Sequence, residues 1–125
     1  MPTLRTFIVE DNPVILCNLI AALEELSDVR VVGSVGSEHE AVSELQQRDG
    51  LLDLVIVDIF LTSGSGLGVL RSAKNMNLPA RRVVLSNYAT PDMRRRCLEL
   101  GADRVFDKSS ELDELIAYCD KAAEA

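Results

Sequence analysis

Five polar residues stand at the ends of apolar runs. Glu10 and Asp11 follow Thr6–Val9, Asp58 follows Leu54–Val57, Ser86 follows Arg82–Leu85, and Lys108 comes just after Arg104–Phe106. Taken singly, each has an ordinary explanation: an acid after a strand caps a helix, a serine sits in a turn, a lysine is solvated. Brought to one place they define a chemistry. Crowded carboxylates push each other's pKa upward unless a cation joins them. Magnesium suits that role, because it takes one or two carboxylates, keeps waters and still binds phosphate oxygens. A nucleophile, a metal and donors for phosphoryl oxygens are the parts of phosphoryl transfer. Asp58 has the chemistry of the nucleophile, since carboxylates form aspartyl phosphates. The Ser86 hydroxyl and the Lys108 ammonium are the donors.

Such a site exists only if the fold brings the run ends together. The runs are Thr6–Val9, Arg30–Val35, Leu54–Val57, Arg82–Leu85 and Arg104–Phe106. The continuously apolar centres FIV, LVIV and VVL suit strands buried on both faces, as in a parallel sheet. Helical signals fill the gaps. Asn12-Pro13 and Thr90-Pro91 read as N-caps followed by proline at the first helical position. Leu16, Leu19, Ile20, Leu23 and Leu26 then recur at helical spacing, as do Met93, Cys97 and Leu98 after the second cap. Ser37-Glu38-His39-Glu40 is a capping-box pattern ahead of Ala41, Val42 and Leu45. Gly66–Met76 carries Leu67, Leu70 and Ala73 on one stripe, and Ser109 or Ser110 opens a last helix that faces Leu112, Leu115, Ile116 and Cys119 inward. Five β–α units in succession predict an α/β, doubly wound parallel sheet, here taken in the flavodoxin-like strand order 2-1-3-4-5. Ligands bind such sheets at the carboxyl edge, where strand order reverses. Here that crevice lies between the strands that deliver Glu10, Asp11 and Asp58.

The chain has 125 residues, one ordinary domain, and a formal charge of −7. That balance argues against direct nucleic-acid binding, which needs a basic face. No run is long enough to span a membrane, and no charged-then-apolar leader opens the chain. Cys17, Cys97 and Cys119 show no CxxC spacing and read as reduced, small hydrophobes of a cytoplasmic protein. His39 reads as exposed and inert, and Arg94–Arg96 as a solvated helical turn. A dehalogenase-type phosphohydrolase would need a second acid two residues after its nucleophile, where this chain has Phe60. A flavin-binding phosphate loop is incompatible with Glu10-Asp11-Asn12-Pro13, which is acidic.

The segments FIVEDNP (7–13), LVIVDIFLTSGSGLGVL (54–70), VVLSNYA (83–89) and GADRVFDKS (101–109) together resemble the receiver domain of bacterial response regulators, as in the chemotaxis regulators. The likeness runs from about Thr6 to Cys119. It implies that Glu10 and Asp11 are the acidic metal pair, Asp58 the phosphoacceptor, Ser86 the hydroxyl switch residue and Lys108 the family's lysine. The Phe60 carbonyl would complete the Mg2+ shell. It further implies a sensor histidine kinase or histidine phosphotransfer protein as donor, an unidentified protein target downstream, slow autodephosphorylation, and output through the fourth helix, fifth strand and fifth helix. One receiver domain would occupy residues 1–125 with no effector domain, and a homodimer is among the assemblies left open. The rival reading is a receiver-fold docking module that works without phosphorylation. Three positions depart from the family pattern. Val105 stands where an aromatic is usual, with Phe106 expected to face the opposite side of the sheet. Ser109 replaces a proline that often carries a cis peptide. Thr62 replaces a common proline after the phosphoacceptor. Without the strand aromatic, output is expected to run through Asn87–Thr90 and the fourth helix, with Tyr88 as reporter. Phe60 and Tyr88, both large, are expected to flank the path of attacking water.

Overall fold

The structure is a computed structural model that describes residues 3–124. Five strands and five helices alternate along the chain: β1 Leu4–Val9, α1 Pro13–Leu26, β2 Val29–Val35, α2 Glu38–Gln47, β3 Leu54–Val57, α3 Gly66–Asn75, β4 Arg81–Ser86, α4 Pro91–Glu99, β5 Arg104–Asp107 and α5 Leu112–Glu124. The strands form one sheet in the order β2-β1-β3-β4-β5, with every neighbouring pair parallel. Both the fold class and the strand order agree with the sequence expectation.

Alternation along the strands divides the core into two layers. Phe7, Val9, Val55, Val57, Val84 and Val105 face α2, α3 and α4, packing with Leu45, Leu70 and Cys97. Ile8, Leu54, Ile56, Val83, Leu85 and Phe106 face α1 and α5, packing with Leu23, Leu115 and Cys119. Val105 and Phe106 therefore lie on opposite faces, as the strand period requires. The edge strand β2 is partly covered by charged side chains. Glu24 accepts from the Val31 N–H at 2.9 Å, and Arg48 donates to the Val32 carbonyl at 3.3 Å. Covering edge groups in this way discourages pairing with another chain.

The caps explain where most helices begin. The Asn12 side chain accepts from the Val14 and Ile15 N–H groups, and Thr90 accepts from Met93. Ser37 accepts from the Glu40 N–H, while its hydroxyl donates to the Glu40 carboxylate. In a full capping box that carboxylate would reach the Ser37 N–H instead.

Three expectations need correction. The last helix does not open on Ser109 or Ser110. Asp107 accepts from the Ser109 N–H at 2.8 Å, holding those residues in a turn, and α5 starts at Leu112. Leu26 and Leu98 are exposed, at 61% and 51%, because each falls near the end of its helix and off the buried stripe. Cys17 is exposed on α1; only Cys97 and Cys119 serve as buried hydrophobes. Burial raises both their thiol pKa values, that of Cys119 to about 12, which keeps them unreactive. No cis peptide occurs among the described residues, so the Lys108–Ser109 bond is trans.

Candidate functional site

Backbone hydrogen bonds at the carboxyl edge carry the ladder just past the strand ends and fix the chemistry-bearing residues. The Glu10 N–H donates to the Val35 carbonyl at 3.0 Å, and the Asp58 N–H to the Val9 carbonyl at 2.9 Å. The Lys108 N–H donates to the Ser86 carbonyl at 2.9 Å. Gly66, the first residue of α3, packs directly on this edge: a Cβ there would lie 2.2 Å from the Asp58 carbonyl oxygen. No larger residue leaves the helix start this close to Asp58.

Glu10, Asp11 and Asp58 each offer a carboxylate oxygen, and these lie within 4.8 Å of one another. Glu10 and Asp58 are buried, at 4% and 7% exposure, and Asp11 is half-buried. The Lys108 ammonium donates to Glu10 Oε1 at 2.6 Å and to Asp58 Oδ2 at 3.1 Å. The Asn12 N–H donates to Glu10 Oε2 at 3.1 Å. Burial pushes the Asp58 carboxyl above its ordinary value; Lys108 opposes the shift without reversing it, and the Glu10 charge adds to it. Burial acts on Lys108 in the opposite sense, but the bonds and charges of Glu10 and Asp58 outweigh it and hold the ammonium above the usual lysine pKa. Three acids against one ammonium leave the crevice net negative. A small set of hard oxygen donors with unbalanced negative charge is what Mg2+ accepts.

These groups line a cavity of about 180 Å³ together with Asn12, Ile15, Phe60, Asn87 and Tyr88. Phe60 and Tyr88 form an edge-to-face pair, with ring centroids 5.0 Å apart and planes at 70°, although both remain largely exposed. Ser86 is fully buried and does not line the cavity. Its hydroxyl accepts from the Tyr88 N–H at 3.1 Å. Val105 is buried against the α2–α4 side of the core.

Three contacts escape a reading of the sequence. Thr62 donates its backbone N–H to Asp11 Oδ2 at 2.6 Å and its hydroxyl to the same oxygen. The Thr62 hydroxyl is the main reason that Asp11 titrates below the ordinary carboxylate value, with the Thr62 N–H adding to the effect against desolvation. Its only sequence signal is the departure from proline at that position. Glu38 accepts from the Ser65 N–H at 2.9 Å and so ties the loop after β3 to α2. Arg94 overturns part of the solvated-turn expectation. It donates to the Ala89 and Val105 carbonyls at 2.9 Å each and pairs with Glu111 at 2.6 Å, while Arg95 and Arg96 are exposed. A run of three arginines gives no hint of which one turns inward. His39 is exposed, as expected.

The parallel sheet and the acidic crevice at its carboxyl edge define a flavodoxin-like receiver fold. Comparison with known proteins extends this to a family. Residues 6–120 match the family described as the response regulator receiver domain, and the chain belongs to it. The chain is 35% identical over 118 residues to a probable transcriptional regulatory protein of Picosynechococcus, covering 92% of this chain and 47% of that protein. It is 31% identical over 114 residues to a protein-glutamate methylesterase/protein-glutamine glutaminase of Azospirillum brasilense, covering 89% of this chain and 28% of that protein. It therefore spans about half the length, or less, of these curated relatives. The signal receiver domain of the NarL response regulator from Mycobacterium tuberculosis shares the fold with a TM-score of 0.86 at 22% identity, covering 100% of this chain and 99% of that one. Among the described residues, no helix is long and apolar enough to cross a membrane.

Proposed function

We propose that this domain receives a phosphoryl group on Asp58 from the phosphohistidine of a sensor histidine kinase or histidine phosphotransfer protein, and passes the signal to a protein target in the cytoplasm. The observation that carries this reading is the convergence of Glu10, Asp11 and Asp58 around Lys108 in one cavity. Glu10, Asp11, Asp58 and the Phe60 carbonyl would hold Mg2+, which when bound neutralises the acids and binds phosphoryl oxygens. The Asp58 carboxylate attacks phosphorus: an Asp58 O–P bond forms, the P–N bond to the donor histidine breaks, and the imidazole leaves with that electron pair. Lys108 already touches Asp58 and is placed to bond a phosphoryl oxygen. The Phe60–Tyr88 pair at the mouth restricts water and makes hydrolysis slow. The domain thus catalyses its own phosphorylation and dephosphorylation and acts as a switch, with no separate substrate to turn over.

Output begins at Ser86. Its hydroxyl holds the Tyr88 N–H, and no acceptor for its own proton is formed among the described residues. A phosphoryl group on Asp58 would draw that proton through a charge-assisted hydrogen bond, pulling the Asn87–Thr90 loop. Arg94 bridges this loop to β5 and Glu111, so the movement reaches the start of α5 without an aromatic at Val105.

Titration with beryllofluoride, a phosphoryl mimic, tests this function. With Mg2+ present, amide resonances of residues 86–90 and 111–115 are expected to shift in the wild type and to stay fixed in Asp58→Asn. Equal shifts in both proteins would place the phosphoryl site elsewhere.

A further inference from the structure

The loop between β3 and α3 is held from two sides. On one, Glu38 accepts from the Ser65 N–H and its own N–H donates to the Ser63 carbonyl. On the other, at the exposed apex, Thr62 places two donors on a single oxygen of Asp11. This contact spans the crevice, joining the loop after β1 to the loop that carries Phe60. A proline at this position would have neither the N–H nor the hydroxyl, so the tether depends on the residue this chain has there.

We infer that Thr62 is a positioning residue for the cation site: its two hydrogen bonds hold Asp11 Oδ2 and so fix the orientation of the carboxylate that Asp11 presents beside Glu10 and Asp58. The inference rests on the proposed Mg2+ site. A ligating carboxylate needs such an outer partner, because a freely rotating side chain must be ordered when the ion binds. Removing outer partners of this kind typically weakens metal binding by 10–100-fold. The same contact steadies the backbone of the Phe60 loop, whose carbonyl belongs to the proposed shell.

Calorimetric titration of Mg2+ into the unphosphorylated protein measures this directly. Thr62→Val keeps the branched shape and the N–H but loses the hydroxyl, and is expected to bind Mg2+ roughly 10-fold more weakly, the low end of that range. Thr62→Ser restores the hydroxyl and is expected to bind like the wild type. Thr62 is exposed, so both variants are expected to keep the wild-type circular dichroism and urea midpoint in chelator. Two results separate the possible failures. If the wild type takes up no Mg2+, or Asp11→Asn takes it up undiminished, the acidic site itself is wrong and this inference falls with it. If the wild type binds, Asp11→Asn does not, and Thr62→Val binds as tightly as the wild type or more tightly, the site stands and the role of Thr62 is overturned.

Discussion

Replacing Lys108 with methionine removes one charge and keeps most of the apolar stem, so the change isolates the ammonium. Its side chain is 12% exposed and contacts Glu10 and Asp58, whose side chains are 3% and 9% exposed. At an effective dielectric near 20, each contact is worth about 4 kcal/mol of gross Coulomb energy. Desolvation of the buried ammonium cancels much of the sum, and breaking a buried pair costs about 3–5 kcal/mol. Water can enter the cavity beside these acids, which places the expected loss near the low end, about 3 kcal/mol. With a urea slope of about 1–3 kcal/mol/M, the midpoint falls by roughly 1–3 M in chelator at neutral pH. Mg2+ supplies positive charge to the same acids. It is therefore expected to stabilise Lys108→Met more than the wild type and to narrow the gap. Paired urea titrations in chelator and in Mg2+ measure both effects. No loss in chelator, or the same loss in both conditions, would refute the view that Lys108 and the cation neutralise one set of carboxylates.

Asp58→Asn is expected to be more stable than the wild type at neutral pH in chelator. The folded-state pKa of Asp58 is raised, so its ionised form costs stability above that pKa, and the cost disappears as pH falls below the ordinary carboxylate value. The gain should shrink on acidification, and urea midpoints across that range check it. Arg94→Ala loses two carbonyl contacts and the Glu111 pair and is expected to cost about 2 kcal/mol, the range for hydrogen bonds with a charged partner. In hydrogen exchange, beryllofluoride should then affect Asn87–Thr90 but no longer the start of α5. An undiminished response at Glu111–Leu115 would remove Arg94 from the output route.

The parallel sheet is legible in the sequence because each strand is a short apolar run followed by a polar residue and a helix cap, whereas its order comes from the doubly wound pattern such units adopt. Strict alternation also places Val105 and Phe106 on opposite faces, and the structure does the same. The acidic cluster is legible for a related reason: Glu10, Asp11, Asp58 and Lys108 sit at run ends, and a parallel sheet collects run ends along one edge. Contacts across the crevice are not legible. Thr62 lies 51 residues from Asp11, and nothing local marks it as a donor. Arg94 looks like its two neighbours until α4 is set against β5, where the guanidinium finds the Ala89 and Val105 carbonyls. The start of α5 is misplaced from sequence because Ser109 and Ser110 resemble caps, whereas the Asp107 side chain turns the chain there. Leu26 and Leu98 stand at apolar positions near the ends of their helices but off the stripe that packs, which periodicity alone cannot show.

Phosphoryl transfer to Asp58 would leave an acyl phosphate on that side chain. Borohydride reduces an aspartyl phosphate to homoserine and so marks the phosphorylated residue permanently. After treatment with acetyl phosphate and Mg2+, followed by borohydride, peptide mass mapping is expected to find homoserine at position 58, and none there when Mg2+ is chelated. Homoserine at another aspartate, with Asp58 unmodified, would contradict the assignment.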